Sequence, residues 1–107
     1  MVSYQSTQLD ALGDPTRRAI LERLLNGPQP VGALARDFPM TRPAISQHLR
    51  ILKRAQLVTD RAAGTRRLYA VNPDAIEGLR RYFDRFWDKA LAAFKRGVED
   101  ASHKEKP

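Results

Sequence analysis

Apolar positions recur along most of this chain at the three-to-four spacing of a helix, and the interruptions fall where Gly, Pro, Asn and Asp collect. QSTQLDAL (5 to 12) predicts a short opening helix ended by Gly13. DPTRRAILERLLNG follows with Asp14 as cap, Pro15 at the first helical position and Asn26-Gly27 at its close. Its Ile20, Leu21, Leu24 and Leu25 share one side, and GPQP then forces a turn. VGALARDF (31 to 38) predicts a two-turn helix with Val31, Leu34 and Phe38 inward. After the break PMT, Thr41 suits a cap, and Pro43 sits in the first turn, where its missing N–H does no harm. That helix is expected over 42–55, with Ile45, Leu49 and Leu52 at i, i+4 and i+7 as its buried stripe.

The period then changes. LVTDR and RRLYAV are β-prone runs separated by AAGT, whose Gly64 suits a hairpin turn, giving a hairpin over about 57–71. Asn72 caps a last helix with Pro73 at its first position, and its apolar period holds to about 98. The order is α-α-α-α-β-β-α. Two helices joined by a three-residue turn, followed directly by a hairpin, make a winged helix-turn-helix: mainly α, with a small β-hairpin as wing. The 107 residues suit one domain, expected over 1–98 with a disordered tail at 99–107.

Charge gives one helix face a purpose. Residues 41 to 71 hold seven basic residues against the single acid Asp60, whereas the rest of the chain carries twelve bases and eleven acids. A solvated face usually mixes signs, yet TRPAISQHLRILKRAQLV contains no acid. A concentrated basic field suits a polyanion, and the flanking motif selects double-stranded DNA. Thr41, Arg42, Ser46 and Gln47 occupy the end of the helix that reaches base edges in a major groove. Arginine can pair twice with guanine, and glutamine with adenine. Arg50, Lys53 and Arg54 come later and are candidates for phosphate, as are Arg61, Arg66 and Arg67 on the wing. His48 lies beside the apolar stripe; it reads first as structure and second as a phosphate contact.

Other chemistry finds little footing. With no cysteine there is no disulfide or sulfur-ligated metal. No serine, histidine and acid form a catalytic constellation and no glycine-rich loop cradles phosphate, so neither catalytic residues nor a cofactor is expected. Asp84 and Asp88 at i and i+4 suggest a hard-metal pair, but Arg80 one turn earlier offers Asp84 an ion pair instead. No apolar run approaches the length of a membrane span, and MVSYQSTQLDAL lacks the basic start and apolar core of a signal peptide, so a cytoplasmic protein is expected.

The last helix holds five of the eight aromatics. At 1.5 Å per residue it would be about 39 Å long, more than a domain of this size needs over its own core. A second copy is the simplest partner for Leu79, Phe83, Phe86, Trp87, Leu91 and Phe94, and a homodimer also suits a roughly palindromic operator. The other reading is a protein-binding winged helix that docks through this helix, with the basic patch incidental; a sensor using other ligands is a third.

LGDPTRRAILERL, VGALARDFPMTRPAISQHLRILKRAQLV and RRLYAVNPDAI together resemble the ArsR (ArsR/SmtB) family of bacterial transcriptional regulators, over about residues 8 to 95. The resemblance implies a winged-helix homodimer whose terminal helices pair and which represses transcription by occupying an operator. Metal-sensing members carry cysteines on the helix before the recognition helix, or Asp/His and His/Glu pairs on the last helices. Here those places read VGALARDF, and Asp84 and Asp88 with no histidine before His103. A member without the usual metal ligands, with an unassigned effector, is the expectation.

Overall fold

The structure is a computed structural model that describes residues 4–105, with side chains over 6–102. It divides into two compact units, one up to Ile76 and one from Glu77 onward. Helices α1 (Tyr4–Ala11) and α2 (Pro15–Leu24) lead into a two-residue strand β1 (Gln29–Pro30) and helix α3 (Val31–Asp37). Helix α4 (Arg42–Arg54), strands β2 (Val58–Ala63) and β3 (Arg66–Val71), and helix α5 (Pro73–Glu105) complete the chain.

The corner between α1 and α2 is built by DPTRR. The Asp14 carboxylate accepts the Arg17 N–H at 3.0 Å, which satisfies one of the open donors at the start of α2. Accepting that N–H is also the main reason its carboxyl titrates below the usual range. Arg17 Nε and Arg18 Nη1 reach back to the carbonyls of Ala11 and Leu12, each at 2.6 Å, closing the open end of α1. At the far end of α2 the expectation for Leu25 fails. It caps the helix where the chain turns away toward Gly27, and it is 63% exposed.

Helix α4 starts at Thr41, whose hydroxyl accepts the Ala44 N–H at 3.3 Å. It ends in a Schellman motif: Gln56 N–H donates to the Lys53 carbonyl at 2.9 Å, and Leu57 N–H to the Leu52 carbonyl at 3.0 Å. This turn needs a left-handed residue, and Gln56 supplies it with φ at +66°. Asn72 braces the same turn. Its side-chain amide Nδ2 donates to the Gln56 carbonyl at 2.9 Å, and its side-chain oxygen Oδ1 accepts the Asp74 N–H at 3.2 Å, capping α5.

Strands β2 and β3 pair antiparallel from Val58↔Val71 to Ala63↔Arg66, leaving Gly64-Thr65 as the turn. Gly64 at φ +64° followed by a negative φ is the pattern of a type II′ hairpin. The strands reach further into AAGT than their imperfect alternation suggested. GPQP is more than a turn, because Gln29 and Pro30 pair with Tyr69 and Leu68 and add a third strand in the order β1-β3-β2. Pro30 offers no N–H, which an edge strand tolerates. In the first unit Ile20, Leu34, Ile45, Leu49, Leu52, Leu57 and Val58 are closed off from solvent. Helix α5 runs to Glu105, beyond the expected end at 98, because EDASHKE contains neither Gly nor Pro to stop it. Of the expected tail, residues 106 and 107 lie outside the described residues, as does the His103 side chain.

Candidate nucleic-acid interface

Helix α4 hides Ile45, Leu49 and Leu52 completely, so its other side must face outward. Arg42, Gln47, Arg50, Lys53 and Arg54 are exposed and Ser46 is half-buried. At the N-terminal end, Arg42 projects from the first turn while Thr41 already uses its hydroxyl as the cap. One turn on, Gln47 Oε1 accepts from Arg50 Nη1 at 2.9 Å, so a base-reading candidate and a phosphate candidate are presented as a pair.

The wing and the helix start enclose an open groove. A hollow of about 660 Å³ is bordered by Arg36, Arg42, Thr65, Arg66, Arg67 and Tyr69, without an acidic side chain on its wall. Three of these arginines were expected; Arg36 was missed because it lies outside the basic third, on α3. Its signal was its place at the end of the first helix of the helix-turn-helix, which abuts the start of the second. Arg54 faces elsewhere, bordering a 290 Å³ hollow with Asp10, Ala11 and Arg17 on the α1 side. Arg61 and Arg66 stand exposed on the wing strands.

Three phosphate candidates face a carboxylate of the chain itself. His48 Nδ1 is buried and faces the Asp14 carboxylate at 4.0 Å, because position 48 sits beside the stripe that packs on α2. Lys53 and Arg67 are tied to Asp60. Lys53 Nζ lies 2.7 Å from Oδ1 and Arg67 Nε 2.6 Å from Oδ2. The Lys53 hydrogen bond first, then that of Arg67, holds the Asp60 carboxyl below the usual range. In return Asp60 keeps the Arg67 guanidinium more firmly protonated.

In the second unit the aromatic stripe is open: Phe83 is 41% exposed, Phe86 53%, Trp87 57%, Leu91 61% and Phe94 71%. Tyr82 with Phe83, and Phe86 with Trp87, stack edge to face at 5.5 and 5.7 Å. Leu79 departs from this set. It is only 7% exposed within the single chain, so little of it is left for a second copy. Arg80 binds both Glu77, at 2.7 Å, and Asp84, at 3.1 Å, so Asp84 is engaged in the expected ion pair.

The same pattern is found in known proteins. Residues 14–60 match the family described as bacterial regulatory protein, arsR family. The HTH-type transcriptional regulator Rv2034 of Mycobacterium tuberculosis is 55% identical over 101 residues, covering 92% of this chain and 94% of that protein. The transcriptional repressor SdpR of Bacillus subtilis is 39% identical over 67 residues, covering 63% and 74%. In solved structures, the homodimeric winged helix-turn-helix DNA-binding domain of Mb0332 from Mycobacterium bovis superposes with a TM-score of 0.64 at 31% identity, covering 81% of this chain and 78% of that one. A basic helix-turn-helix face, a wing and 55% identity to a regulator over nearly the whole chain thus converge: the chain belongs to the arsR family of bacterial transcriptional regulators.

Proposed function

We propose that this chain acts as a homodimeric repressor on a roughly palindromic duplex operator. The observation that carries the reading is helix α4, which buries its whole apolar stripe and presents Arg42, Gln47 and Arg50 with no acid among them. Arg42 and Gln47 read base edges in the major groove, with Ser46 beside them. Arg50, Arg61 and Arg66 grip phosphate, Arg36 joins them at the groove, and Arg54 does so at the outer edge. Phe83, Phe86, Trp87, Leu91 and Phe94 cover one another across a two-fold axis, so that two recognition helices meet successive major grooves about 34 Å apart. The homodimeric domain of Mb0332 and the repressor SdpR support this assembly and this sense of regulation. No helix among the described residues is long and apolar enough to cross a membrane, which suits a protein acting on DNA in the cytoplasm.

The test is to sequence the genomic fragments that the purified protein retains at moderate salt. A shared inverted repeat is expected, with affinity falling steeply as salt rises. No retention of duplex DNA, together with salt-insensitive behaviour, would instead support the protein-docking reading.

A further inference from the structure

Asp60 is the single acid among residues 41 to 71, and it is placed between the two elements that surround it with charge. Each of its oxygens has its own cation, Lys53 from the last turn of α4 and Arg67 from β3. The Asp60 side chain is 7% exposed, while those of Lys53 and Arg67 are 55% and 56% exposed. Exposed ion pairs contribute little to stability, so folding alone is a weak reason to shut this carboxylate in. A nearly buried carboxylate shared by two elements does more to fix their relative placement.

We propose that Asp60 is a positioning residue for DNA recognition, a latch that sets the wing on the recognition helix and keeps two cations away from phosphate. The inference rests on the DNA-binding reading above. Two consequences follow from the geometry. The first is mechanical: with the latch closed, Arg66 on the wing and Arg42 on the helix border the same groove as parts of one body. Base contacts made through Arg42 and Gln47 then depend on where the wing meets the backbone, because phosphate contacts set the register in which bases are read. The second is electrostatic. Among the described residues, Arg42, Arg50, Arg54, Arg61 and Arg66 have no carboxylate partner, whereas Lys53 and Arg67 share the one negative charge of Asp60. The latch therefore limits the attraction for any duplex while sharpening the preference for one.

This gives opposite signs for two measurements, which a plain stabilising ion pair would not. Asp60→Asn keeps the shape and removes the charge. Its binding to random duplex is expected to tighten, with the log–log salt slope steeper by about 0.9 for each freed cation that reaches phosphate. Its preference for the retained fragments over random duplex is expected to fall about tenfold. Arg67→Gln opens one arm without freeing a new cation, so it should lower the preference while leaving the random-duplex slope no steeper. Circular dichroism melts confirm that each variant is folded before titration. If Asp60→Asn, folded as the wild type, shows the same slope and the same preference, the latch is wrong. A uniform loss of affinity for all duplexes at unchanged slope overturns it equally and leaves only a stabilising ion pair. Should the wild type itself bind no duplex, the DNA reading fails first, and that result is distinct because it needs no variant.

Discussion

Helix α4 and the part of α5 beyond Ile76 are written in the same amphipathic pattern, yet they end differently. In α4, Ile45, Leu49 and Leu52 are 0% exposed, and everything outward is polar or basic. In α5, Phe83 through Val98 repeat at helical spacing and remain 41–71% exposed. The difference lies in what each stripe has to pack on. Helix α4 meets α2, α3 and the sheet within its own unit, so burial is completed inside one chain. A stripe of large apolar side chains left in water is costly at about 25 cal/mol per Å² and marks a surface meant for a partner. The same periodicity therefore makes a core in one place and an exposed apolar stripe, the proposed dimer interface, in the other.

Substitutions can set these two stripes against each other. The largest effect is expected from Leu49→Ala, which should destabilise the fold by roughly 2–5 kcal/mol through the cavity it leaves. Its melting temperature should drop by the same amount at every protein concentration; a concentration-dependent drop would break the comparison. Trp87→Ala should lower the dimerisation free energy by about 2 kcal/mol or more, as a central interface aromatic does. Sedimentation across a dilution series checks this, and an unchanged dimer would mean that the aromatic stripe serves something else. Arg42→Ala, on the outward side of α4, should leave the melt alone and reduce discrimination among duplexes by about 1–3 kcal/mol. Gel shifts on matched and mutated operators read that value, and equal losses on both would demote Arg42 to a phosphate contact.

Smaller effects probe the joints of the first unit. Gln56 holds a left-handed φ that glycine adopts freely. Gln56→Gly should therefore stabilise the domain by about 0.5–1 kcal/mol, measured by urea unfolding. Acid should act through Asp60. Its folded-state carboxyl is depressed, so its contribution is complete above the ordinary carboxylate range and is lost as pH falls through the lowered value. The latch is thus whole at neutral pH, and stability should decline below about pH 4. A melting-temperature profile for Asp60→Asn should be flatter there; superimposable profiles would show that the carboxylate adds nothing to the fold.

Much of this was readable from local order. The Asp14 and Thr41 caps, the Gly64 turn and the stripe of α4 are decided by residues within a few positions of one another, and each stands where its pattern put it. Membership in the arsR family was legible for the same reason, since its motifs are these caps, stripes and turns at set spacings. Strand β1 was not, because nothing in Gln29-Pro30 asks for a sheet until β3 lies alongside. Arg36 was hidden because it lies on α3, outside the basic stretch of residues 41–71, and only the fold sets it at the groove with Arg42, Arg66 and Arg67. Leu79 and Phe83 share a helix and a period, and the pattern could not tell the buried one from the exposed.

Charge shows the same limit most plainly. Order along the chain settled that residues 41–71 are basic, where their helix starts and stops, and which side of it faces inward. It could not settle which cations are free. Lys53 and Arg67 look like Arg50 and Arg66 on paper, and only the folded register brings Asp60 between them. Periodicity and capping act over a few residues, so they are carried by sequence. Pairing of charges depends on distances of a few ångströms between separate elements, and those exist only once the chain has folded.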